Sequence, residues 1–265
     1  MSNSEQSVSP VTRRVRLAPV AAAIVTLFLF ELTLRGAQRV VSVAVFLPVF
    51  YLVVISLVLG YGLKTRLARF KFLIAPALLS ESALAFLLLV EVPAVSHAIA
   101  FIVAIVLIFF FESLMTYIWR HSEYESFSLE NLSGYTLTLA TFFGSAAILG
   151  FSILLDIPWW AMLLGMIAFA FLIDYKLFWV SKITGRKALL TIAALTLLQA
   201  ELISVLRTVP LHFMTSGAIA TVIWYVSVIL LRASYHGLLT RKMILRHLAL
   251  GVGLLALLLA TARWI

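Results

Sequence analysis

Nine stretches of roughly 18 to 26 mostly apolar residues, divided by short connections, leave little of the chain for anything else. At about 1.5 Å rise per residue, each is long enough as a helix to cross a hydrocarbon core about 30 Å thick. Lipid offers no partner to an open backbone N–H or C=O, so a spanning chain must close its hydrogen bonds internally, within helices or a closed barrel. Runs this long, without strict alternation, predict helices. The expected fold is all-α, a polytopic transmembrane bundle of about nine spans at 17–34, 40–62, 72–90, 94–119, 134–155, 158–180, 188–206, 209–231 and 245–262. Residues 1–12 are polar and aperiodic and predict a disordered cytoplasmic N-terminus, with 13–265 as a single transmembrane domain.

Composition closes off the soluble alternatives. With 63% hydrophobic and 12% charged residues, the chain lies far from soluble domains, of which about 25% is charged. The net charge of +9 would suggest nucleic acid in a soluble protein, but here the positive residues sit mainly in connections that face phospholipid headgroups, so no nucleic-acid partner is expected. The absence of cysteine excludes disulfides, thiolate metal sites and cysteine nucleophiles.

The distribution of the twenty Lys and Arg residues sets the orientation. With the N-terminus inside, sixteen fall on inner segments and adjoining span ends: Arg13, Arg14, Arg16, Lys64, Arg66, Arg69, Lys71, Arg120, Lys176, Lys182, Arg186, Lys187, Arg232, Arg241, Lys242 and Arg246. Only Arg35, Arg39, Arg207 and Arg263 fall outside. The bias predicts N-in, C-out in a bacterial-type inner membrane. The segment 121–133, HSEYESFSLENLS, carries three glutamates, and its cytoplasmic placement follows from parity; it reads as a solvated linker or a short interfacial helix, and as a surface through which a protein partner could bind. Arg13 to Leu34 has the basic start of a secretory signal, but its apolar run is longer than an h-region of about 7 to 15 residues and no small-x-small site follows, so an uncleaved first span is expected.

Ala140, Gly144, Ala147 and Gly150 in the fifth span, and Ala249 and Gly253 in the ninth, form small-residue faces that predict close helix contacts. Displacing the chain by 120 residues lays spans 3 and 4 on spans 7 and 8 without a gap: Glu81 meets Glu201, Ser96 meets Ser216, Ala98–Ala100 meets Ala218–Ala220, and Arg66 falls on Arg186. The expectation is a four-span unit repeated in parallel and followed by one extra helix.

A charge in hydrocarbon costs on the order of 2.5 to 3.5 kcal/mol, so each one requires a partner or a role. Glu81 lies midway along the third span between Ser80 and Ser82, which reads as a proton or cation site, or as an acid hydrogen-bonded to a neighbouring helix. Glu112 shares a face with Thr116 and Arg120, while Asp174 and Lys176 read as interfacial, snorkelling and pairing locally. On the outer side, Glu31, Arg35 and Arg39 follow at steps of four, on one face if the first span continues as helix. With Glu201, Arg207 and His212 at the junction of spans 7 and 8, the arginines are candidates to hold a phosphate or carboxylate bidentately. The bland reading of the same residues is headgroup anchoring.

No catalytic motif emerges. Met214-Thr215-Ser216-Gly217 lacks the first glycine of an intramembrane serine-protease element, there is no HExxH, paired-aspartate run or P-loop, and the five histidines are scattered over both sides. No catalytic residue, metal or cofactor is therefore assigned. The sequence predicts a membrane protein that binds or translocates a small anionic or lipid-linked substrate through Arg35, Arg39, Glu201, Arg207 and His212. The alternatives are an enzyme acting on a lipid headgroup or prenyl carrier at the outer leaflet, and a non-catalytic subunit of a larger complex.

Overall fold

A computed structural model describes residues 17–59, 66–119, 128–155 and 157–262. Among them are nine helices and no strand: α1 (Ala18–Leu34), α2 (Val40–Leu59), α3 (Arg66–Leu87), α4 (Pro93–Trp119), α5 (Ser128–Leu154), α6 (Trp159–Val180), α7 (Arg186–Thr208), α8 (Phe213–Tyr235) and α9 (Arg241–Thr261). The chain is thus an all-α bundle, and seven of these helices are long and apolar enough to cross a membrane. α1, at 17 residues, falls just short in length.

Local chemistry sets the helix ends. Pro93 opens α4 and Pro158 precedes α6, positions where a missing N–H costs nothing. α8 starts four residues later than the hydropathy of 209–231 suggests. Pro210 interrupts the chain there, and the ring nitrogen Nδ1 of His212 caps the helix by accepting from the Met214 N–H at 3.4 Å. α8 is terminated just past its His236 cap by Gly237, whose φ of +68° is open to glycine at little cost, with the Leu238 N–H returning to the Ala233 carbonyl at 2.9 Å. α3 begins at Arg66, not at 72, and α9 at Arg241, not at 245, each adding a basic first turn to the apolar run.

Two expectations need correction. α5 begins at Ser128, so the second half of the 121–133 segment is no linker: Leu129 is buried and Ser133 is 1% exposed within the first turns of a long helix. Residues 120–127 lie outside the described part, as do 1–16. α1 does not run on through Arg39 either. It stops at Leu34, and a separate 3-10 turn, Ala37–Arg39, follows, so Glu31, Arg35 and Arg39 do not share one helical face.

α5 is the hub, packing on α3, α4, α6, α7 and α8, with 61% of its span buried. α9 is the periphery: it packs on α8, and 6% of its span is buried. The small-residue face of α5 makes the predicted close contacts, since a Cβ at Gly144 would run into the Phe169 ring and one at Gly150 into Leu89. On α9 the closely packed glycine is Gly251, against Val226; Gly253 has open space around it and Ala249 is exposed.

The helix boundaries carry the 120-residue repeat further than the sequence identities do. The displacement takes α2 onto 160–179, within α6; α3 onto 186–207, beginning where α7 begins; and the starts of α4 and the end of α1 onto the start of α8 and the end of α5. Pairings recur too. α1 packs on α2, α3 and α4, and α3 on α2 and α4; likewise α5 packs on α6, α7 and α8, and α7 on α6 and α8. The two four-helix units meet through α3 and α4 against α5, and α3 against α6, with α9 added at the end.

Candidate functional site

Three places in the bundle gather polar side chains, and some of the residues singled out from the sequence lie in them. The first is a cavity of about 440 Å³ where α1 ends and α4 begins, lined by Glu31, Leu34, Arg35, Val90, Glu91, Pro93, Ser96 and His97. The short α3–α4 connection brings Glu91 and His97 beside the end of α1. The His97 Nδ1 and the Glu31 Oε1 lie 2.7 Å apart, a hydrogen bond that fixes the imidazole and leaves its Nε2 turned to other partners. Arg35 follows α1 directly, its backbone N–H on the Glu31 carbonyl, with its side chain exposed at the cavity wall. The site thus offers one guanidinium, two carboxylates and an oriented histidine, above apolar walls. Glu91 was not anticipated, because a lone acid in a connection carries no signal of its own.

The other outer residues are elsewhere. Arg39 is exposed at the end of the 3-10 turn, Glu201 is exposed on α7, Arg207 is half-buried near the end of α7, and His212 is occupied in capping α8, with its ring 4.3 Å from that of Phe213. The packing partners of α1 are α2, α3 and α4, whereas those of α7 are α5, α6 and α8. Arg35 is grouped with Glu31, Glu91 and His97, and the structure does not gather it with Arg207 and His212 around one pocket.

The second place lies inside the first four-helix unit. Tyr51, fully buried on α2, sits 2.7 Å from both Thr26 of α1 and Ser80 of α3. The Thr26 hydroxyl donates to the Ala22 carbonyl, which leaves Thr26 to accept from Tyr51 and Tyr51 to accept from Ser80, a directed chain across three helices. Glu81 adjoins this chain, and its Oε1 is buried without a hydrogen-bond partner. Glu112, by contrast, is exposed on α4, where the Thr116 hydroxyl donates to its backbone carbonyl.

The third place overturns the interfacial reading of Asp174 and Lys176, which do not pair and do not reach for the surface. Lys176 is 1% exposed; its Nζ donates to the Lys71 carbonyl at 2.7 Å and lies 4.4 Å from the centre of a Trp179 ring and 5.2 Å from that of Phe72. Asp174 is wholly buried and accepts from the Trp224 indole at 2.8 Å, from the Gln199 amide at 3.2 Å and from the Thr196 hydroxyl at 3.4 Å. The available signal was three uncommon polar residues, Asp174, Gln199 and Trp224, within three otherwise apolar spans. Nothing in the sequence shows that they meet.

These features define a helical membrane protein with an open polar cavity where α1 ends and α4 begins and separate buried polar networks in its two halves. Among the described residues there is no cluster of three or more His, Asp or Glu side chains able to hold a metal ion. No family model, curated protein or solved structure matches the chain.

Proposed function

We propose that the protein binds, and carries across or along the membrane, a lipid-linked substrate that bears a phosphate or similar anionic group, with the cavity at Arg35 as its outer binding site. The observation that carries this reading is the composition of that cavity: a guanidinium beside two carboxylates, on apolar walls of Leu34, Val90 and Pro93. The guanidinium suits a phosphate held bidentately, while Glu91 and Glu31 suit an ammonium or hydroxyl on the same headgroup. A free small anion would meet two carboxylates with nothing to offer them. The apolar side chains of Phe28 on α1, Val92 just ahead of α4 and Val95 on α4 are exposed, as a surface for acyl chains would be. Glu81, with its unpartnered buried oxygen beside the Tyr51 chain, is the group proposed to take a coupling proton or cation.

The test is binding of a fluorescent phospholipid or prenyl phosphate to protein in nanodiscs of neutral lipid. Arg35→Gln is expected to weaken it at least tenfold, about the 1.4 kcal/mol expected from one charge-assisted hydrogen bond to an anion, and Arg207→Gln is expected to leave it unchanged. Equal losses for both would restore the wider arginine cluster; no loss for Arg35→Gln would remove the site.

An enzymatic reading draws on the His97–Glu31 pair, since a carboxylate-oriented imidazole beside an anion-holding arginine is an arrangement that can accept a proton from an attacking water or hydroxyl. Headgroup release from a labelled lipid, lost in His97→Gln with binding retained, would favour that reading over transport.

We further propose the N-in, C-out orientation, supported by the split of basic residues. Thr184 and Thr208 are both exposed, at opposite ends of α7, and the chain has no cysteine of its own. Thr208→Cys is expected to react with a membrane-impermeant thiol reagent on intact cells and Thr184→Cys to react only after lysis. The reverse pattern would invert the topology.

A further inference from the structure

A polar cluster between α6, α7 and α8, far from the Arg35 cavity and independent of what that cavity binds, has the chemistry of a cation site. Asp174 contributes a carboxylate that is 0% exposed. Thr196 and Gln199 reach it from one face of α7, three residues apart, and Trp224 from α8. Among the described residues no lysine or arginine is paired with the acid: Lys176 is turned to the Lys71 carbonyl on α3.

The distances distinguish a hydrogen-bonded acid from an ion-binding one. The indole holds Oδ1 at 2.8 Å, an ordinary charge-assisted length. Oδ2 is less well served, with the Gln199 amide at 3.2 Å and the Thr196 hydroxyl at 3.4 Å, where an O–H bonded to a carboxylate would close to about 2.6 Å. The Gln199 Oε1, on a side chain that is 3% exposed, has no partner at all. Rotating the amide by half a turn exchanges its oxygen and nitrogen, which occupy nearly the same space. The oxygens of Thr196 and Gln199 then both face the Asp174 Oδ2, and a positive charge among the three makes that arrangement favourable. Oxygens placed octahedrally about 2.4 Å from a hard cation stand about 3.4 Å apart; the Thr196 and Asp174 oxygens are 3.4 Å apart, and the amide atom that Gln199 turns to Asp174 is at 3.2 Å. One carboxylate balances one positive charge; a divalent ion would leave a net charge buried in the bundle. A larger ion such as potassium would require the oxygens to spread.

We propose that Asp174, Gln199 and Thr196 form a sodium-binding site between α6 and α7, with the Trp224 indole fixing the carboxylate from α8. Access comes from a cavity of about 180 Å³ that reaches Trp224 and Leu177, one turn from Asp174, and is also lined by the polar side chains of Asn131, Thr138 and Tyr225. Water from that cavity supplies the remaining ligands. Arg232 stands on the same wall, two turns from Trp224 along α8, so entry runs against one positive charge. The repeat shows that the polar set is not needed to pack these helices: the positions displaced by 120 residues are Val54, Pro76, Leu79 and Ala104, and the equivalent helices pair in the same way.

The experiment is thermal unfolding of the purified full-length protein in sodium, potassium or choline chloride at equal ionic strength and fixed pH. Sodium is expected to raise Tm saturably, with potassium at least tenfold weaker and choline without effect. Asp174→Asn, which keeps an acceptor for the indole, is expected to fold and to lose the response. Thr196→Val is expected to raise the half-saturating sodium concentration about tenfold. The proposal is overturned by a wild-type Tm that responds to pH but not to sodium, or by a sodium response that survives Asp174→Asn. Should Asp174→Asn fail to fold, an unchanged half-saturation in both Thr196→Val and Gln199→Met overturns it equally.

Discussion

Replacing Gly217 by valine is expected to give the largest loss of stability of any single substitution at a helix contact. Gly217 lies on α8 against α5, and a Cβ there would stand 2.7 Å from the Ala146 Cβ and 2.9 Å from its backbone Cα and N. Backbone cannot rotate aside as a flexible side chain can, so the two helices must separate. α5 is the helix on which both halves of the bundle converge, so a shift of α8 is passed to α3, α4, α6 and α7 through it. Overpacking of this kind typically costs about 1 to 3 kcal/mol, and in a membrane, where close van der Waals approach does much of the work of helix association, the upper end is expected. The check is apparent Tm in detergent, with Gly165→Val as the control, because a Cβ at Gly165 meets nothing within 4 Å. Equal losses for the two variants would mean that the α5–α8 contact is not where stability is held.

Hydropathy reports depth in a membrane and says little about position around the bundle axis, and the sequence reading succeeds and fails along that line. Each of the nine apolar runs coincides with a helix among the described residues, and seven of these helices are long and apolar enough to cross a membrane. Boundaries move by a few residues where capping or proline overrides hydropathy, as at His212 and Pro210 ahead of α8. Arg35, Arg207 and His212 share a predicted depth, and depth alone suggested a common anion site. Their azimuths differ, since α1 and α7 pack on different neighbours, and azimuth is a property of tertiary packing that no single-span pattern encodes. Glu81 was legible because midspan acids stand out against apolar runs. Asp174 was misread for the opposite reason: with Lys176 two residues away and basic residues beyond, it looked interfacial, whereas its solvation comes from Thr196, Gln199 and Trp224 on two other helices.

The repeat sharpens what is structural and what is particular to each half. Pairing and helix boundaries recur under the 120-residue displacement, as expected where a shared backbone arrangement has to be packed. The polar networks do not recur. Thr26, Tyr51 and Ser80 of the first unit face Ala146, Phe171 and Ala200 in the second, and the Asp174 set of the second faces apolar residues in the first. Polar groups buried in a membrane protein at a cost, and present in one of two otherwise equivalent settings, mark where function has been added to the scaffold.

The second large effect is expected at Trp224. Trp224→Phe keeps most of the ring volume but removes the N–H that holds the Asp174 Oδ1 at 2.8 Å, the shortest contact the carboxyl makes. Interhelical hydrogen bonds in membranes average only about 0.6 kcal/mol. Here the acceptor is a buried carboxylate whose other two donors are at 3.2 Å and 3.4 Å, so the loss belongs with hydrogen bonds to charged groups, about 1.5 to 3 kcal/mol. Removing both partners should cost less than the two single changes together, because Trp224→Phe with Asp174→Leu leaves neither a charge nor an indole N–H without its partner. The measurement is a double-mutant cycle on unfolding free energy in sodium-free buffer. A coupling of at least about 1 kcal/mol is expected for a direct contact of this kind. Additive losses would mean that the indole only fills space between α6 and α8, and that the carboxylate is held by α7 alone.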